Sequence, residues 1–227
     1  MIPLNKIYSY PALERVTHDD GNRYYVCPEG NRLSSVTTIL SATGDKTGLL
    51  EWRAWVGDKR ADQIRDEACG LGSLMHTHLE NWMEGLDRPR GSNLIRQMAS
   101  NMADVIINRG LCNVAEVWAM EEILYYPGLY AGTADLIGLH KGEACIMDYK
   151  TTNKMKTKDK IGDYAHQLAA YAMAHNEMYG TNITKGVIFM VSRDLQFEEF
   201  VFEGEEFQKA QVDWIGRVDT FLTPAQE

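Results

Sequence analysis

Apolar and polar positions change period several times along this chain, and each change predicts a change of structure. Residues 7–30 alternate as paired strands do, around Asp19-Asp-Gly-Asn22, a strong hairpin-turn signal. The period then lengthens to that of amphipathic helices over about 46–69, 71–85 and 91–109; Leu71, Leu74, Met75, Leu79, Trp82 and Met83 form the clearest apolar face. Strand-like runs follow at about 115–126, 129–140 and 143–150. Pro127-Gly128 and Lys141-Gly142 separate them, and two tight turns predict an antiparallel meander. A helix over about 160–179 buries Ile161, Tyr164, Leu168, Ala172 and Met178; strands near 184–192 and 196–202 and a last helix over 204–222 complete the series. This is an α/β pattern of the mixed α+β kind. There is no internal repeat, low-complexity tract or Pro-rich linker, so 227 residues are expected to form a single domain, 1–227, with a hairpin and helical part over 1–110 and a core over 111–227. With 44% hydrophobic and 24% charged residues, a sizeable core is affordable at this length.

Polar residues interrupt the apolar runs at a few places, and those places carry the candidate chemistry. Asp135 lies in Ala131-Gly-Thr-Ala-Asp-Leu-Ile-Gly-Leu-His140, and Asp148 in Ala144-Cys-Ile-Met-Asp-Tyr-Lys-Thr-Thr152. A carboxylate inside a sheet must be paired, neutralised or bound to a metal, because an isolated buried charge is too costly. Two carboxylates with Lys150 at the ends of adjacent strands suit a hard divalent cation, which takes oxygen ligands and accepts a phosphate beside them. That combination suits metal-assisted cleavage of a phosphodiester. Asp148-x-Lys150 alone reads as a strand-end surface pair, since so short a pattern recurs by chance; Asp135 on the preceding strand shifts the balance toward a site.

The helices add further candidates. His76 and Glu80 are four apart and share a helix face, as do Gln167 and Tyr171. Locally, His76 reads as a hydrogen-bonded core histidine, Glu80 as an exposed carboxylate, and Tyr171 equally as a packing residue or a site residue. The pattern is not His-Glu-x-x-His, which disfavours a zinc protease site, and His78 points elsewhere on the helix. Ser34-Ser-Val-Thr-Thr-Ile-Leu40 precedes a helical turn, where Ser35 and Thr37 suit helix capping, phosphate contact or both. Trp52 and Trp55 could stack on bases of a single strand, but at helical spacing core packing is the favoured reading.

In order along the chain, Ser35-Val-Thr-Thr-Ile-Leu40, the Trp52 region, Gly72-x-x-x-His76-x-x-x-Glu80, Tyr130-Ala-Gly-Thr-Ala-Asp135, Asp148-Tyr-Lys150-Thr-Thr and Gln167-x-x-x-Tyr171 resemble the RecB-like branch of the PD-(D/E)XK nucleases. Within it they are most like the mitochondrial genome maintenance exonucleases and their phage relatives. The resemblance covers about Ser34 to Tyr179. It implies a restriction-endonuclease-like core of order α-β-β-β-α-β, a central mixed sheet flanked by helices, with an N-terminal helical extension and the catalytic core in 111–227. It makes Asp135 and Asp148 metal ligands, joined by Glu80 and by a glutamate of the preceding strand. Glu121 and Glu122 compete for that last place, and Glu122 is the one assigned. Lys150 becomes the catalytic lysine, Gln167 and Tyr171 the supporting helix motif, and His76 the leading-helix motif. The implied cofactor is Mg²⁺ or Mn²⁺, as one or two ions. The implied enzyme is a metal-dependent deoxyribonuclease, an exonuclease of single-stranded or end-exposed DNA in replication, recombination or repair, and phage-encoded. The alternatives are an endonuclease of restriction or repair type and a catalytically silent nucleic-acid-binding protein; intact Asp135, Asp148 and Lys150 argue against the last.

A net charge of −9 argues at first against a DNA partner, but local patches decide that question. Lys141, Lys150, Lys154, Lys156, Lys158 and Lys160 crowd one stretch, and Lys154, Lys156 and Lys158 are expected to meet the phosphate backbone; the plain alternative is a solvated loop. Cys27, Cys69, Cys112 and Cys145 are widely spaced, without Cys-x-x-Cys, and none follows Cys145, so no iron–sulfur cluster is expected. Met1-Ile-Pro-Leu-Asn-Lys6 lacks the pattern of a signal peptide, and no apolar run reaches membrane-span length. A cytoplasmic location follows as the expectation, that of a bacterial host if the chain is phage-encoded, with no membrane partner.

Overall fold

The structure is a computed structural model that describes residues 2–18, 21–27 and 30–223; Asp19 and Asp20 of the hairpin-turn signal lie outside the described residues. Strands β1 (Glu14–Thr17), β2 (Arg23–Val26) and β3 (Arg32–Ser34) form a small antiparallel sheet, one strand more than the hairpin pattern predicts. Helices α1 (Val36–Thr43), α2 (Thr47–Val56), α3 (Asp58–Glu84) and α4 (Leu94–Arg109) follow. The main sheet comprises β4 (Val114–Tyr126), β5 (Tyr130–His140), β6 (Glu143–Thr152), β7 (Gly186–Ser192) and β8 (Phe197–Phe202), in that spatial order. Helix α5 (Gly162–Tyr179) links β6 to β7, and α6 (Gly204–Leu222) ends the series. Among the five strands of the main sheet only β6 and β7 pair in parallel, a pairing that needs a crossover connection, here α5; the other three pairings are antiparallel. The two tight turns thus make the expected meander.

One helix boundary differs from the pattern. The predicted break near Gly70 is absent, and α3 runs through Gly70 and Gly72 for 27 residues, about 40 Å at helical rise. The break falls instead at Gly57, whose φ of 87° closes α2 and starts α3. Glycine in a helix costs about 1 kcal/mol relative to alanine, which the apolar face of Leu71, Met75, Leu79 and Met83 offsets by burial. That face and α4 cover one side of the main sheet, against Leu136, Met147, Val187 and Phe189. Helices α1, α5 and α6 cover the other, against Ile137, Ile146, Ile188 and Met190. Alternate residues of each strand therefore feed two separate cores, and every residue of β7 is buried.

The N-terminal segment is fastened beside the sheet by an aromatic cluster of Tyr8, Tyr10, Trp118 and Tyr179 around His175, which is fully buried. Thr181 donates to Asn176, so its oxygen accepts from His175 Nδ1 at 2.8 Å, and Nε2 accepts from the Tyr10 hydroxyl at 3.1 Å. This is the neutral imidazole, and burial lowers its pKa to about 4. A depressed folded-state pKa contributes stability that is present above the unfolded value of 6.5 and lost as pH falls from there through about 4. The unfolding free energy in urea should therefore fall more between pH 6.5 and 4.5 in the wild type than in His175→Phe. Parallel pH profiles would mean that His175 does not set this dependence.

Candidate active site

Three strands and one helix bring the candidate side chains together. Asp135 projects from the middle of β5, Asp148 and Lys150 from β6, Glu121 from β4, and His76 and Glu80 from α3. The cleft, about 740 Å³, has Gly72, Ser73, His76, Thr77 and Glu80 as one wall and Glu121, Ile123 and Thr133 as its floor; Arg15 and Arg23 stand on the far side. A crevice of about 10 Å³ adjoins it among His76, Glu80, Glu121, Asp135 and Tyr149, room for about one water-sized body.

Asp135 accepts a hydrogen bond from the Tyr149 backbone N–H at 3.0 Å and lies 3.7 Å from His76 Nε2. Asp148 is 1% exposed and held by Lys150, whose Nζ stands 2.8 Å from one carboxylate oxygen and 2.6 Å from the other. Only the first contact is aligned as a hydrogen bond, so Oδ2 keeps unused acceptor capacity in a buried place. Burial raises the pKa of both aspartates, and the charge of Asp135 adds to the effect on Asp148. Burial works against the charge of Lys150, but Asp148 and Asp135 outweigh it and hold the pKa above its ordinary value. His76 behaves likewise: burial opposes protonation, yet the Glu121 hydrogen bond and the charges of Asp135 and Asp148 push its pKa up to about 9. Its geometry agrees. Nδ1 faces Glu121 Oε1 at 3.4 Å and Nε2 faces the Tyr149 carbonyl at 3.2 Å, both acceptors, so the ring donates from both nitrogens.

The structure brings together His76, Asp135, Asp148, Lys150 and Glu80, five of the residues singled out from the sequence. Of the two competing glutamates, it sets Glu121 beside them. Glu121, His76 and Asp135 each offer an atom within 4.8 Å of the others, whereas Glu122 projects from the opposite face of β4, where its charge acts on Tyr10 and Tyr179. A signal for this was present. Tyr126 pairs with Tyr130 across the turn, and the same register sets position 121 opposite 135; residues directly opposite share a sheet face. Glu121 has φ of +50°, a left-handed conformation that costs a non-glycine residue about 1–2 kcal/mol.

The remaining assignments have contacts of their own, and Lys156 sits over the same Tyr164 ring as Lys150. Ser35 is buried as the N-cap of α1, accepting from the Thr38 N–H at 3.0 Å, so capping is the role its contacts show; Thr37 is exposed, its hydroxyl 3.0 Å from that of Ser35. Lys158 is committed to the Val201 carbonyl, Glu206 and the Phe202 ring, away from the cleft. Lys154 is exposed, and Lys156 lines a groove with Thr151, Asn153 and Arg193. Gln167 donates to the Tyr171 hydroxyl at 3.4 Å. Tyr171 in turn lies so close to Gly132 that a Cβ there would sit 2.7 Å from its ring. The ring beneath Lys150 belongs to Tyr164, 5.1 Å from Nζ, which the apolar pattern assigned simply to the core. Trp55 is 82% exposed, so core packing does not hold for it.

The donors fit a hard divalent cation. Asp135 and Glu121 supply carboxylate oxygens at the crevice, and Asp148 keeps a buried oxygen without an aligned donor. Doubly donating His76 is an orienting cation in this arrangement. The like-charged carboxylates whose pKa values are raised here would be relieved by added positive charge.

Comparison with known proteins places this geometry. The family model of the PD-(D/E)XK nuclease superfamily matches residues 46–213. Mitochondrial genome maintenance exonuclease 1 of Homo sapiens is 24% identical over 177 residues, 72% of this chain and 50% of that protein. Its Xenopus tropicalis counterpart is 24% identical over 179 residues, 71% of this chain and 49% of that protein. The chain thus spans about half the length of these relatives. A crystal structure of a provisionally named exonuclease from Eubacterium rectale aligns with a TM-score of 0.51 at 12% identity, covering 68% of this chain and 64% of that one, a likeness of fold.

Metal addition separates the two glutamates. Mn²⁺ at about 100 times its Kd should stabilise the wild type by about 2.7 kcal/mol, read as a rise in the unfolding midpoint. Asp135→Asn should abolish that rise, Glu121→Gln should diminish it, and Glu122→Gln should keep it. A response lost in Glu122→Gln and kept in Glu121→Gln would return the place to Glu122.

Proposed function

The chain belongs to the PD-(D/E)XK nuclease superfamily, and we propose that it is a divalent-metal-dependent exonuclease of single-stranded or end-exposed DNA. The observation that carries this reading is the meeting of Glu121 and Asp135 at one crevice beside the cleft, with the Asp148–Lys150 pair close enough for its charges to act on Asp135 and His76. The exonucleases among its relatives support the mode of cleavage. Service in replication, recombination or repair, a phage origin and a cytoplasmic place of action belong to the same proposal. Among the described residues no helix is long and apolar enough to cross a membrane.

In this reading Asp135, Asp148 and Glu121 hold Mg²⁺ or Mn²⁺, with Glu80 beside them. Such an ion supplies Lewis acidity and acidifies water. Lys150, kept protonated by Asp148 and Asp135, acts as a cation toward the phosphate rather than as a base. Its contribution grows as charge builds on the phosphoryl oxygens in the transition state. His76 holds Glu121 by donating from Nδ1, is itself oriented by donating from Nε2 to the Tyr149 carbonyl, and sets its charge 3.7 Å from Asp135. Gln167 and Tyr171 act through packing, since Tyr171 sits on Gly132, three residues before Asp135.

End-labelled linear and circular DNA, single- and double-stranded, incubated with Mg²⁺, Mn²⁺ or EDTA, tests the reading. Linear substrate should be degraded with either metal, and circular substrate and the EDTA samples should remain intact. Cutting of circles would make the chain an endonuclease, and no cutting of any DNA would end the proposal. Lys150→Ala should lower the single-turnover rate by orders of magnitude while DNA affinity in Ca²⁺ falls modestly. A variant that binds weakly yet cleaves normally at saturation would reduce Lys150 to a binding residue.

A further inference from the structure

The far wall of the cleft has no part in the chemistry described above. Arg15 of β1 and Arg23 of β2 line it, opposite Ser73, Thr77 and Glu80 of α3. Pairing of Arg15 with Tyr25 and of Thr17 with Arg23 puts both arginines and Tyr25 on one face of the small sheet. That face is turned toward the main sheet, because the Tyr25 hydroxyl reaches Thr133 Oγ1 at 3.0 Å. Thr133 lies two residues before Asp135, on the same side of β5. The hairpin is fastened there by Tyr25 and Leu33 packed with Ala131, by a bridge from Ser35 to Ala131, and by a bond from Ser35 N to the Arg23 carbonyl.

Both arginines are exposed, and among the described residues neither forms an ion pair, although Glu80 and Glu121 share their cleft. Arg53, Arg65, Arg88, Arg90 and Arg217 sit on carboxylates, whereas Arg32, Arg60, Arg96, Arg109 and Arg193 form no ion pair among the described residues either; what sets Arg15 and Arg23 apart is that they line the cleft and still leave its carboxylates alone. Two free guanidinium groups across a gap from an acidic metal-binding site match an anion lying between them. A phosphodiester chain is such an anion, and guanidinium suits its phosphates in charge and in geometry. The cleft volume, about 740 Å³, falls in the range of sites that take up a small molecule, about 300–1,000 Å³, which is room for a short stretch of backbone; that the backbone is a single strand comes from the nuclease reading.

We propose that the N-terminal hairpin is the second jaw of the substrate cleft, with Arg15 and Arg23 holding backbone phosphates next to the scissile one on a single strand. This deepens the nuclease reading and rests on it. The structure also provides a matched control. Arg32 belongs to the same small sheet but to its opposite face, where its guanidinium stacks on Tyr24 at 4.9 Å.

The test measures affinity of a labelled single-stranded oligodeoxythymidine, and of a blunt duplex, in Ca²⁺ at several salt concentrations. Arg15→Gln/Arg23→Gln should bind the single strand about tenfold more weakly, with a salt slope flatter by about 1.4, or about 0.7 per lost phosphate contact. Arg32→Gln should match the wild type in both. Arg15→Lys/Arg23→Lys should keep most of the slope, because a phosphate contact depends on charge, and unfolding in urea shows that each variant is folded. An unchanged slope in the double Gln variant overturns the proposal and leaves the nuclease reading standing. So does an equal loss in Arg32→Gln, which would reveal a general charge effect, or an equal loss on duplex, which would remove the single-strand assignment. A wild type that neither binds nor cuts DNA overturns the nuclease reading itself, and this proposal with it.

Discussion

The arrangement turns on two aspartates placed side by side in a sheet that excludes water. Asp135 and Asp148 are raised in pKa by burial, and their charges act on one another. Left alone, such a pair would take up a proton, because like charges at close range in a poor dielectric cannot both persist. The fold supplies two cations against this. Lys150 reaches back two residues along its own strand to Asp148, and His76 descends from α3 onto Asp135 and Glu121. Both cations are protonated because of the carboxylates, and the carboxylates retain charge because of them. Removing one member would leave the others uncompensated, which costs more than the pair contributes when whole.

The scaffold is consistent with that requirement. The α5 crossover that makes β6 and β7 parallel also brings Tyr171 down on Gly132 and Tyr164 under Lys150. The uninterrupted α3 presents His76 to the cleft while burying Met75 and Leu79 beneath it. A helix broken at Gly70 would lose the lever that holds His76 in place. The left-handed kink at Glu121 is the one backbone outlier among the metal-binding candidates, and it falls where a regular strand is least needed. Strain at such a position is tolerated because β4 is paired on both sides of it, at Met120 with Leu136 and at Glu122 with Ala134.

Periodicity made most of the fold legible, because both faces of the sheet and one stripe of each helix are apolar for the same reason, burial. The last helix falls at 204–222 as the pattern predicts, and the strand turns at Pro127-Gly128 and Lys141-Gly142 lie where expected. The site was legible where a charge interrupted an apolar run, as at Asp135 and Asp148. It was illegible where polarity is ordinary. Glu121 and Glu122 are neighbours on opposite faces, and only pairing register separates them. Ser35 and Lys158 have suitable chemistry for phosphate, but their atoms are already committed, to the Thr38 N–H and to Glu206. Arg15 and Arg23 sit in a short polar strand pair far from the motifs in sequence, and only the docking of Tyr25 on Thr133 brings them to the cleft.

Charge distribution joins these points. A chain of net charge −9 repels a polyanion at long range, so attraction has to come from local groups of cations that its own carboxylates leave unneutralised. Elsewhere several cations are neutralised in place: Arg53, Arg65, Arg88, Lys185 and Arg217 each rest on an acidic partner. At the cleft the sorting is different. Carboxylates gather on α3 and β4 and free guanidinium groups on the hairpin, with a gap between that neither side bridges. Keeping opposite charges apart across an open cleft forgoes the attraction an ion pair would give, and that sacrifice is compensated when a ligand carries the complementary pattern. A phosphodiester does so once a divalent cation lies between it and the carboxylates. Under the proposed function the same acidic surroundings would work for selectivity, since a DNA segment that reached neither a bound cation nor the hairpin would meet mainly repulsion.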